Sequence, residues 1–431
     1  MKVALLVKRG RLINPATGED TVCDILTEDN KIKAIGTELV ATGATVIDAK
    51  GLVVTPGLID MHVHLRQPGQ SQKETIASGT RAAAAGGFTR VATMPNTKPV
   101  IDSTIVVDGL KYKIMREGVV KVNIIGSLSK GLEGKELSAM GGMAREGVVA
   151  FSDDGRYVEN CDFMRKAMEY ASMFGKIVID HCEEASLVAD GCMHEGAVSA
   201  ELGLKGRPAA AEDIAVARDI LLAEATGAAV HIAHISTENA VHMVRRAKAK
   251  GLKVTAEATP QHMILTDEAL RTYDPRFKVN PPLRSEIHRR AVVEGLADGT
   301  IDAIVTDHAP HTAEEKDCEF SLAPSGFVGL ETALGAVLTC LYHTGTVSLM
   351  TLIRAMTSTP ARLLGLDSGD IAVGKEADIT LIDLDKEWTV DPEDFYSQGK
   401  STPFEGMILK GKAVATIVDG KLVMKDGEVL A

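Results

Sequence analysis

The sequence has no run of eighteen apolar residues, no CxxC pair and no excess of basic side chains. The first absence excludes a membrane-spanning helix. The stretch at 1–12 has a short apolar run without a small-residue cleavage site, so it does not read as a signal peptide and the expected location is cytoplasmic. The six cysteines (Cys23, Cys161, Cys182, Cys192, Cys318 and Cys340) have no metal-type spacing and read as reduced structural thiols. Lys and Arg number 47 against 59 Asp and Glu, a formal net charge of −12, which argues against a general nucleic-acid binder. No GxGxxG turn follows an early strand, which counts against an open dinucleotide-binding sheet. There is no internal repeat and no low-complexity tract.

What remains is an ordinary globular chain of 431 residues, 45% hydrophobic and 25% charged. That is enough for two or three ordinary domains, or for one large α/β barrel with an accessory domain. Short β-branched runs at 58–64, 89–94, 121–126, 148–152, 176–181, 229–235, 253–257 and 303–307 read as strands. Stretches of helical length lie between them, at 74–85, 103–117, 133–146, 162–174, 211–226, 237–250 and 286–297, with an eighth at 329–342. Eight alternating units predict an α/β fold, a (β/α)8 TIM-like barrel over 56–365. The two ends have short strands broken by turns, including 3–7, 22–27, 31–35, 45–48 and 379–383. They predict a small β-sandwich domain composed of 1–55 plus 366–431.

The histidines carry the chemistry. His62 and His64 are two apart at the end of the first strand, so both imidazoles face one side. His181 ends the fifth strand, His234 the sixth and Asp307 the eighth, while Asp153-Asp154 follows the fourth. Active sites of this fold lie at those strand ends. Four imidazoles and two or three carboxylates without thiolate suit zinc, with manganese, cobalt or iron as alternatives. The set exceeds one tetrahedral ion and suits two ions about 3.5–4 Å apart. One would take His62, His64 and Asp307, the other His181 and His234, with Asp154 bridging; Asp153 is the open alternative. His231, three residues before His234, is expected to face away and to be structural. His194, His242, His262, His288 and His343 fall in loops or helices and read as structural; His308 is open. Arg66, Asn96, Asn280 and His311 sit in loops at the same mouth and suit a substrate carboxylate. Gly326 would let backbone approach a ligand.

Asp60-Met61-His62-Val63-His64-Leu65-Arg66, Met94-Pro95-Asn96-Thr97, Phe151-Ser152-Asp153-Asp154-Gly155 and Thr306-Asp307-His308-Ala309-Pro310-His311 together resemble the type I dihydroorotases of the amidohydrolase superfamily. The likeness runs over nearly the whole chain, and His-x-His-Leu-Arg is its most specific part. It implies zinc-dependent, reversible cyclisation of N-carbamoyl-L-aspartate to L-dihydroorotate in pyrimidine synthesis. It also implies His62, His64, Asp154, His181, His234 and Asp307 as metal-site residues, with Asp307 as general acid and base. Arg66, Asn96, Asn280, His311, Ser325 and Gly326 are the implied substrate binders. Many superfamily relatives carry a carboxylated lysine after the fourth strand; here there are two aspartates and no lysine, which counts against a hydantoinase or allantoinase. A catalytically silent scaffold for a transcarbamoylase would be expected to have lost ligands, and none is missing. The implied assembly is a homodimer or a complex with aspartate transcarbamoylase.

Overall fold

The computed structural model describes residues 4–430. Val3, which the sequence puts in the first terminal strand, lies outside the described residues. Eight parallel strands run in chain order around the centre: Leu58–Val63, Phe88–Thr93, Lys121–Gly126, Ala150–Ser152, Ile177–Asp180, Val230–Ile232, Val254–Ala258 and Ala303–Ile304. A parallel bridge between Val63 and His308 brings the last strand back to the first. The Asp60 carboxylate strengthens that seam: it accepts from the Thr306 hydroxyl at 2.6 Å, the Thr306 amide at 3.1 Å and the His62 amide at 3.0 Å. Buried Val, Ile, Ala and Met from successive strands fill the space inside and beneath the helices, as expected of a barrel whose interior is a packed core.

The helices start where short polar side chains satisfy free amides. Thr75 opens Ile76–Ala85 with a capping box, Asn160 caps Cys161–Ser172, and Thr237 caps Glu238–Ala249. Two expected helices are shorter than their composition suggests. The 133–146 stretch yields only Met140–Arg145. Gly134 is left-handed and donates its amide to the Ser129 hydroxyl, which makes a turn of the first half. The 329–342 helix begins only at Ala333, because the Gly329 amide donates to His308 Nδ1 and the Val328 amide to the Ser401 carbonyl. Its continuation, Leu338–Tyr342, is a π-turn. Among the described residues no helix is long and apolar enough to cross a membrane.

Both chain ends form one nine-stranded sheet. Its order is Glu428–Val429, Lys421–Lys425, Ile408–Val418, Ile379–Thr389, Val53–Pro56, Ala4–Asn14, Glu19–Glu28 and Lys31–Gly36, with Thr45–Asp48 beside Ala4–Asn14. The sheet has its own core around Leu5, Val7, Leu12, Ile25, Ile379, Leu381 and Ile417. It is pinned to the barrel by Lys121, whose ammonium lies 2.8 Å from each of Glu376, Asp378 and Asp419. Lys121 is the first residue of its strand, so this contact lies at the end away from the strand ends that carry His62, Asp307 and the other reactive groups.

Candidate active site

The mouth holds a cavity of about 250 Å³ lined by His64, Arg66, Asn96, Asp154, Gly155, His181, His234, Asn280, Asp307, Ala309, His311, Ser325 and Gly326. His62 lies beneath it, fully buried. All twelve site residues expected from sequence are therefore at this one place. Three of them, Arg66, His234 and Asp307, have φ of 61°, 30° and 49°. Non-glycine residues held left-handed cost about 1–3 kcal/mol each and cluster where geometry serves function. The regular eighth strand ends at Ile304, short of the expected 307.

The donor atoms converge. His62 Nε2 is 3.4 Å from Asp154 Oδ1 and 3.6 Å from Asp307 Oδ1. His64 Nε2 is 3.0 Å from Asp307 Oδ1 and 3.5 Å from Asp154 Oδ2. On the other side, Asp154 Oδ1 lies 3.7 Å from His234 Nε2 and 3.8 Å from His181 Nδ1, and those two ring nitrogens face each other at 2.9 Å. Ligand atoms of His62, His64 and Asp307, and of His62, Asp154 and His234, lie within 4.8 Å of one another. Buried His62 Nε2 and Asp154 Oδ1 make no hydrogen bond. Lone pairs facing each other in a buried site need a proton or a cation between them, since an unpaired buried polar atom is costly. The residues thus fit a divalent metal, with His62 common to both groups and Asp154 within 3.8 Å of all four histidines. Asp153 points elsewhere: its carboxylate accepts from the Leu128 and Ser129 amides and the Ser129 hydroxyl.

The electrostatics follow from this crowding. Burial lifts the Asp154 carboxyl, but His62, His234 and His64 outweigh it and hold the group well below the usual carboxylate range. Burial and the same imidazoles compete at Asp307, which is also lowered. Burial disfavours protonated His181, yet the carboxylates Glu183, Asp154 and Asp180 bring it up to about 8. Another acidic cluster, Asp180, Cys182 and Asp219, is already filled by Arg218, 2.8 Å from Asp180 and 2.7 Å from Asp219.

The polar rim is held as firmly. His64 Nδ1 donates to Asn96 Oδ1 at 2.9 Å. Arg66 Nε donates to the Pro310 carbonyl at 3.1 Å, which leaves the rest of the guanidinium toward the cavity. Asn280 donates to Glu183 at 3.0 Å and accepts from Arg207. His311 Nε2 donates to the Ser325 carbonyl at 2.9 Å. Burial and then the Arg66, Lys73 and Lys316 charges push this imidazole down to about 4, so it is neutral at pH 7. Gly326 has φ 113°, and a Cβ there would lie 2.7 Å from Ala309 Cβ; only glycine fits.

His231 turns from the cavity to Thr255 and Glu257, and His308 pairs with Glu74 at 3.1 Å. Sequence reasoning missed Glu183, Glu257 and Glu74 as supports. The available signal was position: Glu257 falls at the end of a predicted strand, where the other reactive groups also fall.

Against known proteins, residues 51–240 match the family model "Dihydro-orotase-like" and residues 242–424 the model "Amidohydrolase family". The chain is 54% identical over 422 residues to a dihydroorotase of Pelotomaculum thermopropionicum, covering 98% of this chain and 99% of that one. It is 52% identical over 420 residues to a dihydroorotase of Citrifermentans bemidjiense, covering 97% and 99%. Among solved structures it superimposes on the L-hydantoinase (dihydropyrimidinase) of Arthrobacter aurescens with a TM-score of 0.90 at 28% identity, covering 100% of this chain and 98% of that one. With full-length identity above one half, the chain belongs to the dihydroorotase family of cyclic amide hydrolases.

Proposed function

We propose that the protein interconverts L-dihydroorotate and N-carbamoyl-L-aspartate at a zinc centre, serving pyrimidine synthesis in the cytoplasm. The observation that carries this is the juxtaposition of six metal-type donors with an arginine, two asparagines and a neutral histidine around one small cavity. His62, His64 and Asp307 would hold one ion, His181 and His234 a second, and Asp154 would bridge them. A divalent metal bound there supplies Lewis acidity and water acidic enough to yield hydroxide near neutral pH.

The chain's own groups do the rest. Arg66 and Asn96 take the substrate α-carboxylate, joined by His311 once its Nε2–H turns from the Ser325 carbonyl to the ligand, and they fix the ring in one orientation, which removes much of the entropic part of the barrier. Asn280 and the backbone at Ser325 and Gly326 hold the polar edge of the ring. In the hydrolytic direction Asp307 receives the proton given up by the attacking water as its oxygen bonds to the ring amide carbon, and delivers it to the ring nitrogen as the C–N bond breaks. In the biosynthetic direction it takes the proton from the carbamoyl nitrogen as that nitrogen bonds to the side-chain carboxyl carbon, and passes it to the carboxyl oxygen that departs as water. The absence of a lysine among the residues facing the cavity supports this substrate over a hydantoin. Homodimeric assembly, or association with a transcarbamoylase, belongs to the same reading, as does the division of the chain at 56–365.

Asp307→Asn tests the assignment. Turnover of dihydroorotate should fall by about 10²–10⁴-fold while metal analysis shows most of the zinc retained. Near-normal turnover would remove Asp307 as the proton carrier.

A further inference from the structure

Glu257 lies on the seventh barrel strand, fully buried, and does not line the cavity. Its Oε1 accepts from His62 Nδ1 at 2.5 Å and from the backbone amide of His234 at 3.4 Å. Its Oε2 accepts from His231 Nε2 at 3.1 Å. His231 is steadied in turn by the Thr255 hydroxyl, 2.8 Å from its Nδ1. One carboxylate thus joins the first, sixth and seventh strands inside the barrel. A buried carboxylate is expensive, and an apolar side chain would fill the same space at less cost. Its contacts supply the compensation. With Nδ1–H donated to Glu257, His62 must present its Nε2 lone pair toward Asp154 and Asp307. The same oxygen holds the His234 amide, whose residue is left-handed at φ 30°.

We propose that Glu257 is a positioning residue for the metal centre: it fixes the tautomer and ring orientation of His62 and braces the strained backbone of His234, so that one group outside the cavity sets both halves of the donor set. This rests on the zinc reading above. His231 acts through Glu257 and not on the metal.

The test compares the full-length parent with Glu257→Gln, which keeps the shape and removes the charge. Zinc affinity is measured by competition with a chromophoric chelator, and thermal unfolding is followed on the metal-free proteins. The expected result is an affinity about 10- to 100-fold weaker, with the unfolding temperature of the metal-free variant close to that of the parent. A variant that binds zinc as tightly as the parent overturns the proposal and leaves the zinc reading intact. A parent that binds no zinc overturns both. If Glu257→Gln does not fold, nitrogen-15 spectra of histidine-labelled, zinc-loaded parent decide. A slowly exchanging proton on His62 Nδ1 supports the brace, and an unprotonated Nδ1 overturns it.

Discussion

Single side chains in this molecule are set by what surrounds them more than by their type. His194 is buried, with Arg284 Nη1 donating to its Nδ1 at 3.3 Å and the His288 ring 5.3 Å away. Burial, then the Arg284 charge and His288, depress it to about 3. Between about 3 and the ordinary value near 6.5, the unfolded chain binds a proton that the folded chain does not. The contribution is therefore complete above pH 6.5 and is lost as the pH falls through that window, at up to about 1.4 kcal/mol per pH unit. Urea unfolding at pH 7 and pH 5 should show the parent losing about 2 kcal/mol more than His194→Gln over that interval; equal losses would contradict the assignment. Arg66 makes the complementary case in the cavity. A hydrogen bond to a charged partner is worth about 1.5–3 kcal/mol, so Arg66→Gln should raise KM for dihydroorotate about 10- to 100-fold with a smaller change in kcat. Steady-state kinetics check this, and an unchanged KM would take the guanidinium off the carboxylate.

Elements position these groups through loops whose backbone has little freedom. The 311–326 loop is tied to the segment carrying Asn280 by Lys316, which donates to the Pro275 and Pro324 carbonyls, and by the Gly326 amide, which donates to the Lys278 carbonyl. Gly326→Ala forces a side chain into a φ that favours glycine and against Ala309. It should destabilise the protein by about 1–3 kcal/mol and raise KM, as read by denaturant unfolding and kinetics; wild-type values would show that the loop yields. The strands and most helices were legible from periodicity, and the reactive strand ends from the two-residue spacing of His62 and His64 and from where each strand stops. The short third helix and the late start of the eighth were not. They are decided by Ser129 and by His308, whose partners are distant or depend on a glycine turn. Glu257 and Glu183 escaped notice for a related reason. A carboxylate that supports a histidine is identified by its contact, which the sequence does not display.

At the scale of the whole molecule, residues from His62 to Gly326 must meet at one mouth while both chain ends close a separate sheet. Asp60 holds the barrel seam beneath His62, and Lys121 holds the sheet to the barrel. The fold itself does not choose the substrate: the superimposable L-hydantoinase shares it, so the side chains at the mouth must make the choice. The most direct measurement is therefore turnover of L-dihydroorotate, hydantoin and allantoin by the purified protein, with metal analysis, before and after chelation and after zinc is restored. Turnover confined to dihydroorotate, abolished by the chelator and recovered with zinc, is the predicted result. Faster turnover of hydantoin or allantoin, or hydrolysis of dihydroorotate that survives complete removal of metal, would contradict it.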